Sequence, residues 1–280
     1  MINIIKSKIK LFIFFIVSLI YRTRIGKFAA EKFIFLSMNN VKKVFYNDCK
    51  LKFVVPNSVN RFRIDTFASK EPETLNWIDS FEKKAVFWDI GANIGLYSCY
   101  AAKKFDCKVY SFEPSIFNLE LLGRNILLNQ LTDKVTIIPI PLSDKLLENK
   151  LNMSNTELGG SQSTFGQNYT YDGSELKKQF DYKTIGISID QANSLLQLSQ
   201  PDHIKMDVDG IEHLILKGGV ETLRKVKSLM VEVDEKFEMQ KIKTSEYLIN
   251  AGFKLLHKKH SKMFDNTKYD SCFNQIWKKN

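Results

Sequence analysis

From Ala85 onward the chain switches repeatedly between short, solid apolar runs and stretches whose apolar residues fall three and four apart. The first kind reads as buried strand and the second as amphipathic helix. "AVFWDI" (85–90) is a strand that runs into a glycine turn, with a helix following near 94–104. "CKVYSFEP" is a strand ending at Glu113, and the next helix covers about 115–130 with Leu119, Leu122, Ile126 and Leu127 on one face. "KVTIIPIPL", "TIGISID", "HIKMDVDG" and "SLMVEVDE" supply further strands, interleaved with a short helix and one reaching about Gly218. A helix near 243–251 and the strands "FKLLHKK" and "FNQIWKK" complete the pattern. This alternation predicts an α/β fold with a doubly wound, mostly parallel sheet and helices on both faces; an antiparallel last strand is in keeping.

Three segments stand outside that rhythm. "VKKVFYNDCKLKFVVP" reads as a hairpin around "NDC". "KEPETLNWIDSFEKK" reads as a helix that opens at Pro72, carries its acids in the first turn and closes on Lys83 and Lys84. Residues 143–183 lose the pattern and are expected to form an irregular insert. The first 40 residues form a basic, apolar helical extension, and 41–280 the main domain.

Charge changes the picture by where it sits. The net charge is +10. Residues 1–50 carry ten Lys and Arg against two acids, and 254–280 carry seven against two, whereas 85–253 carry eighteen against twenty-two. The part that should do chemistry is mildly acidic, so a nucleic-acid partner is not expected. Cys49, Cys99, Cys107 and Cys272 form no C-x-x-C pair, and the four histidines show no zinc spacing. Free thiols in a reducing compartment and no structural metal follow.

In a doubly wound sheet, ligands bind beyond the carboxyl ends of the strands. Here those ends carry acids: Asp89, Glu113, Asp207, and Glu232 with Asp234. Glu113 lies about twenty residues past the glycine turn, the spacing at which an acid accepts both hydroxyls of an adenosine ribose. The turn itself is G-A-N-I-G, with Asp89 before it. A dinucleotide loop needs bare amides facing a pyrophosphate, which Asp89 would repel. S-adenosylmethionine carries the same adenosine with no phosphate, and its ammonium and sulfonium would suit an acid there. Asp89 capping the following turn is the alternative reading.

"FWDIGANIGLYS", "SFEPSIFNLELLGRNILLNQ", "IKMDVDGIEHLILKGG" and "LMVEVDE", in this order, resemble the FkbM family of S-adenosylmethionine-dependent methyltransferases over roughly residues 60–278. The resemblance implies a Rossmann-like sheet of the class I methyltransferase type, S-adenosyl-L-methionine as cofactor, and methyl transfer to a hydroxyl, commonly on a sugar or other metabolite. It nominates Asp89, Gly91, Ala92, Asn93, Gly95, Glu113, Pro114 and Ser143 for the cofactor. Asp209 stands where many members carry Glu. A nicotinamide oxidoreductase and a catalytically silent scaffold are the other readings; Asp89 argues against the first and the intact cofactor residues against the second.

On a strand, Lys205 and Asp207 point to one side. Asp207 is placed to take the acceptor's proton or orient its hydroxyl. Lys205 either holds that carboxylate or acts as base if burial lowers its pKa, and Glu212 is the reserve candidate. A purely structural Lys–Asp pair is the plainer reading. Asp209, Glu212 and His213 are expected on one helical face, with His213 on the surface. Asp207, Asp209, Glu212 and Glu232 would suit Mg²⁺ or Ca²⁺ as hard oxygen ligands, but Lys205 supplies the positive charge there and no metal is expected. Asn152, Asn155, Asn168, Tyr169 and Tyr171 of the insert are of the types that hold a small-molecule or glycan acceptor, unless the segment is simply solvated.

At the N-terminus, the uncharged run Leu11–Tyr21 is flanked by Lys6, Lys8 and Lys10 and by Arg22, Arg24 and Lys27. As a helix it is roughly 16 Å long, about half a bilayer core. It suits a helix lying on the anionic cytoplasmic leaflet, which would put the enzyme in the cytoplasm at the membrane's inner face. The alternatives are a helix buried against the main domain and a signal peptide ending near "KFAA", the latter parting the enzyme from its cofactor.

Overall fold

The computed structural model describes residues 2–279. Two helices, α1 (Ile2–Tyr21) and α2 (Arg24–Met38), lead the chain. Thr23 ends one and starts the other, accepting the Gly26 N–H at 2.9 Å. A side chain at Gly26 would meet the Ile20 carbonyl at 1.8 Å, so the two helices turn on a glycine. Their apolar residues stay in solvent, Phe14 at 72% and Ile25 at 82% exposure. The expectation of a helix buried against the main domain therefore fails: the described apolar side chains of α1 find no core to enter. The side chains of Lys6 and Lys10 lie outside the described residues.

The hairpin β1 (Val41–Tyr46) and β2 (Cys49–Val54) closes at Asn47 and Asp48, both in the left-handed region. Those residue types tolerate that conformation in a two-residue turn. Two short helices follow, α3 (Ser58–Asp65) and α4 (Pro72–Ile78). Helix α4 stops short of Lys83 and Lys84, because Phe81 turns inward to stack on His203 at 3.9 Å.

The alternating region forms β3 (Val86–Ile90), α5 (Leu96–Phe105), β4 (Lys108–Phe112), α6 (Ile116–Leu128) and β5 (Val135–Ile138). Residues 143–183, expected to be irregular, instead build an antiparallel sheet of β6 (Leu147–Met153), β7 (Ser163–Phe165) and β8 (Phe180–Gly186), with β6 in the middle. The alternation there is masked because, on these three strands, Leu151, Met153 and Phe165 are the apolar side chains buried in the main core. Then come α7 (Ile189–Leu195), β9 (His203–Met206), α8 (Glu212–Lys217), α9 (Val220–Leu223), β10 (Ser228–Asp234), α10 (Glu238–Asn250), β11 (Lys254–Lys259) and β12 (Cys272–Lys278).

The central sheet has the order β11-β12-β10-β9-β3-β4-β5. Strands β5, β4, β3, β9 and β10 are parallel, and β12 runs antiparallel to β10. The doubly wound, mostly parallel sheet with an antiparallel closing strand is as expected. Strand alternation sorts the two faces: Phe87, Val109 and Met230 pack with α4, α5 and β2, while Trp88, Ile90, Ile204 and Val231 pack with α8, α10 and the insert. After β5 the chain crosses to the other side of β3, so the switch point lies between β3 and β9, where such sheets bind ligands.

The hairpin is tied to this sheet by amide side chains of α6. Asn125 accepts the Val54 N–H at 2.8 Å and donates to the Ile94 carbonyl at 2.8 Å, with no exposed surface. Asn129 does the same for both backbone groups of Lys52. Asn125→Ala should cost about 1–3 kcal/mol for each buried group left unpaired, read as a lower urea midpoint at unchanged slope; a midpoint like wild type would show that the hairpin is not held there.

Candidate active site

The strand register sets the site. Asp89 pairs with Lys205 across β3 and β9, and Lys205 with Met230 across β9 and β10. Two residues further along each strand, on the same face, stand Gly91, Asp207 and Glu232, with Glu113 beyond β4 and Asn274 opposite Glu232 on β12. A lower row thus holds Asp89 and Lys205 inside the protein, and an upper row opens onto a cavity of about 380 Å³, a size typical of small-molecule sites.

The cavity has two parts. One is a slot of Ile90, Phe112, Pro114, Ile140, Leu142, Leu151, Phe165 and Ile211 beside Glu113. The other is polar: Arg63, Lys70, Asp207, Asp209, Glu232, His260 and Asn274, with Tyr171, Tyr269 and Phe264.

Glu113 is 4% exposed and accepts N–H bonds from Asn93 at 2.7 Å and Ser115 at 2.8 Å. Burial pushes its carboxyl up to about 7, against the pull of those two amides. Each oxygen keeps a further lone pair for a ligand. Gly91 holds φ +83° with its backbone against Asp207; a Cβ there would lie 1.9 Å from the Asp207 carbonyl. That close approach of turn to strand end is what the glycine supplies. These features fit an adenosine: an apolar slot, a carboxylate beside it and a bare backbone turn.

Asp89 takes a different place from the one expected. It is 1% exposed, lies outside the cavity lining, accepts from Ser98 at 2.6 Å and leaves Oδ1 without a partner among the described residues. Burial raises its carboxyl, and nearby Lys205 opposes the rise. A ligand ammonium in the cavity would therefore meet Asp207 or Glu232 sooner than Asp89. Of the other nominated residues, Gly91, Asn93, Glu113 and Pro114 line the cavity, whereas Ala92, Gly95 and Ser143 do not. Ser143 instead donates its N–H to Ile187 at the base of the insert.

Lys205 is 1% exposed, 3.0 Å from Asp207 Oδ2 and over the Tyr97 ring at 5.4 Å. Tyr97 donates to Glu71 at 2.8 Å, and Glu71 pairs with Lys70. Burial alone would lower the Lys205 ammonium, but Asp207, Asp89 and Glu71 raise it above its ordinary value. Burial was expected to lower Lys205 enough for it to act as a base; with these three carboxylates around it, the charged form is favoured instead. Burial works to raise Asp207, yet Lys205 and Lys70 bring it below the usual carboxylate range.

Glu212 is fully buried and committed to the turn, accepting from Val208 N–H, Gly210 N–H and Gln240 Nε2. It does not line the cavity, a placement at odds with its expected part as the reserve base. Asp209 is not on the helix with it; with φ +60° it sits in the turn and accepts the Gln162 and Ser163 N–H groups, fastening the insert. His213 is buried at 3% exposure, not on the surface, and burial pushes it down to about 4. Asp207, Asp209, Glu212 and Glu232 do not converge as a metal set; among the described residues only His260, Asp265 and Asp270 bring ligand atoms within 4.8 Å of one another. Of the insert residues named, only Tyr171 lines the cavity. Arg63, Lys70, Glu71 and Tyr269 escaped the sequence reading, since each reaches the site from a distant segment with no motif of its own; Tyr97, within "FWDIGANIGLYS", was not singled out there.

The Methyltransferase FkbM domain matches residues 89–257. The chain belongs to the FkbM methyltransferase family and is an S-adenosylmethionine-dependent methyltransferase. It is 27% identical over 184 residues, 65% of this chain and 70% of the other, to the hexuronic acid methyltransferase AglP of Haloferax volcanii. Among solved structures it is similar to the methyltransferase FkbM of Methylobacillus flagellatus (16% identity, TM-score 0.49, 79% of this chain and 52% of that one). A precorrin-6y C5,15-methyltransferase of Geobacter metallireducens is also similar (14% identity, TM-score 0.43, 75% and 87%).

The raised carboxyl of Glu212, up to about 7, has a consequence for stability. Burial is the cause, only partly offset by its N–H donors. Its contribution is present below the unfolded value near 4.3 and is lost as pH rises through about 7, since the unfolded chain gives up the proton first. The stability advantage of wild type over Glu212→Gln should therefore shrink between pH 4.5 and 7.5 in denaturant titrations; a constant difference would contradict the raised value.

Proposed function

We propose that this enzyme transfers the methyl group to a hydroxyl oxygen of a saccharide, with an acidic sugar or glycan precursor as acceptor. The observation that carries the reading is the polar half of the cavity, which adjoins the adenosine-shaped slot. There Arg63 and Lys70 offer cations to a sugar carboxylate, Tyr171, Tyr269 and Phe264 offer faces to a ring, and Asp207 and Glu232 offer acceptors to hydroxyls. Likeness to a hexuronic acid methyltransferase supports the same class.

In this reading Glu113 receives the ribose hydroxyls, and Phe112, Ile140, Leu142 and Ile211 hold the adenine. Gly91 and Asn93 border the amino-acid end, and Asp207, anchored by Lys205, faces the reacting groups. When bound, S-adenosylmethionine supplies a methyl group already activated on a sulfonium. The chain's task is to hold the acceptor oxygen in line with it, exclude water and receive a proton. Incubation with methyl-labelled cofactor and hexuronate-containing oligosaccharides should label the saccharide; label transfer to neutral or non-sugar acceptors alone would end this reading. Glu113→Ala should weaken S-adenosylmethionine binding by about 1–3 kcal/mol, and unchanged affinity by calorimetry would remove Glu113 from the cofactor site.

The N-terminal helices enter the same proposal as a peripheral membrane anchor at the cytoplasmic face. No described helix is long and apolar enough to cross a membrane. Yet α1 and α2 expose Phe12, Phe15, Ile25, Phe33 and Phe35, and residues 1–40 contain a single acid, Glu31. Apolar surface of this extent with flanking cations suits an anionic interface. A variant lacking residues 1–38 should lose sedimentation with phosphatidylserine vesicles while keeping cofactor affinity; retained sedimentation would rule the anchor out.

A further inference from the structure

We propose that Glu232 is the group that takes the proton from the acceptor hydroxyl, and that Asp207 beside it is a fixed counter-charge and not the base. This rests on the reading of the acceptor as a hydroxyl. The last paired rung between β9 and β10 joins Met206 to Val231, which leaves Asp207, just past the end of β9, beside Glu232 on the stretch of β10 that runs on to Asp234. Both line the cavity. Their partners differ: Asp207 is compensated by the Lys205 ammonium at 3.0 Å, whereas the Glu232 carboxyl makes no hydrogen bond or ion pair among the described residues.

The groups facing Glu232 are mostly anionic. Asp207 and Asp209 approach from the loop after β9, and Glu71 from the start of α4, with Lys70 as the opposing cation. On β12, Cys272 is a buried thiol, and Asn274 turns its amide to Glu73 at 2.7 Å. Burial, reinforced by Asp207 and Glu71, lifts Glu232 well above the usual carboxylate range, while Asp207 is held below it. Two adjacent carboxyls pushed apart in this way take different roles. Asp207 is ionised but a poor base. Of the two, Glu232 is the one that favours its protonated form, and a cationic ligand entering the cavity draws that balance toward the carboxylate. Its carboxylate is then the stronger base. In the step itself the acceptor O–H bond breaks as the O–CH₃ bond forms. The proton goes to Glu232 and the electron pair of the S–CH₃ bond stays on sulfur.

The test is calorimetric titration of the full chain with S-adenosylmethionine at pH 7 in two buffers of different ionisation enthalpy. Wild type should release a proton on binding, Glu232→Gln should not, and S-adenosylhomocysteine, without the sulfonium charge, should release less. Equal release from wild type and Glu232→Gln, or none from wild type, overturns the proposal. With a saccharide that wild type methylates, Glu232→Gln should lose about 10²–10⁴-fold in kcat with cofactor Kd changed only a few-fold, and Glu232→Asp should recover part of the rate. An unchanged kcat in Glu232→Gln overturns the assignment. Proton release by wild type that is absent in Glu232→Gln, with no saccharide methylated, supports Glu232 and overturns the acceptor reading instead.

Discussion

One buried ammonium organises this protein. Lys205 sits inside the sheet at 1% exposure, with Asp89 across the β3–β9 pairing and Asp207 at 3.0 Å above it. An unpaired charge there would be costly, and the charge-assisted contacts are what make it tolerable. Removing Asp207 leaves the buried Lys205 ammonium with only Asp89 and Glu71 nearby to offset it. The pair also has a polarity: Asp207 is pinned as an anion at the cavity floor, which raises the free energy of a second anion next to it. Burial, reinforced by that fixed Asp207 charge, raises the carboxyls of both Glu232 and Asp209.

Around that centre, the parts of the chain divide the work. The segment 89–257 that matches the family supplies the glycine turn, Glu113 and most of the apolar slot. Arg63, Lys70, His260, Tyr269 and Asn274 come from outside it, on elements packed over the polar half of the cavity. The insert sheet roofs the space, fastened by Asp209 to the backbone of Gln162 and Ser163 and by Asn93 Nδ2 to the Gly160 carbonyl at 2.7 Å. The apolar half of the cavity thus lies within the family segment, whereas the polar half draws on helices, loops and the closing strand β12 outside it as well.

The carboxylates illustrate how similar residues acquire different tasks. Glu212 closes a turn with backbone donors, Asp209 fastens the roof, Asp207 is paired with a buried lysine, and Glu232 opens to the cavity without a partner. By sequence alone Asp207 was the expected base with Glu212 in reserve, and nothing local set Glu232 apart. Their hydrogen-bond partners separate them.

The sequence by itself determined the sheet, its strand order of appearance, the glycine turn and the strand-end acids, because burial periodicity and turn chemistry act over a few residues. It also placed Lys205 and Asp207 on one face, since alternation along a strand is local. It did not determine that the 143–183 segment is an ordered sheet, that Asp89 lies below the cavity, or that His213 is buried. Nor could it show Lys70, Glu71 and Tyr97 converging on Lys205, because those contacts join residues up to 135 positions apart. Such long-range pairing is decided by register between non-adjacent strands and by the crossover at the switch point. Only the folded chain brings those groups within reach and sets the burial that shifts their protons.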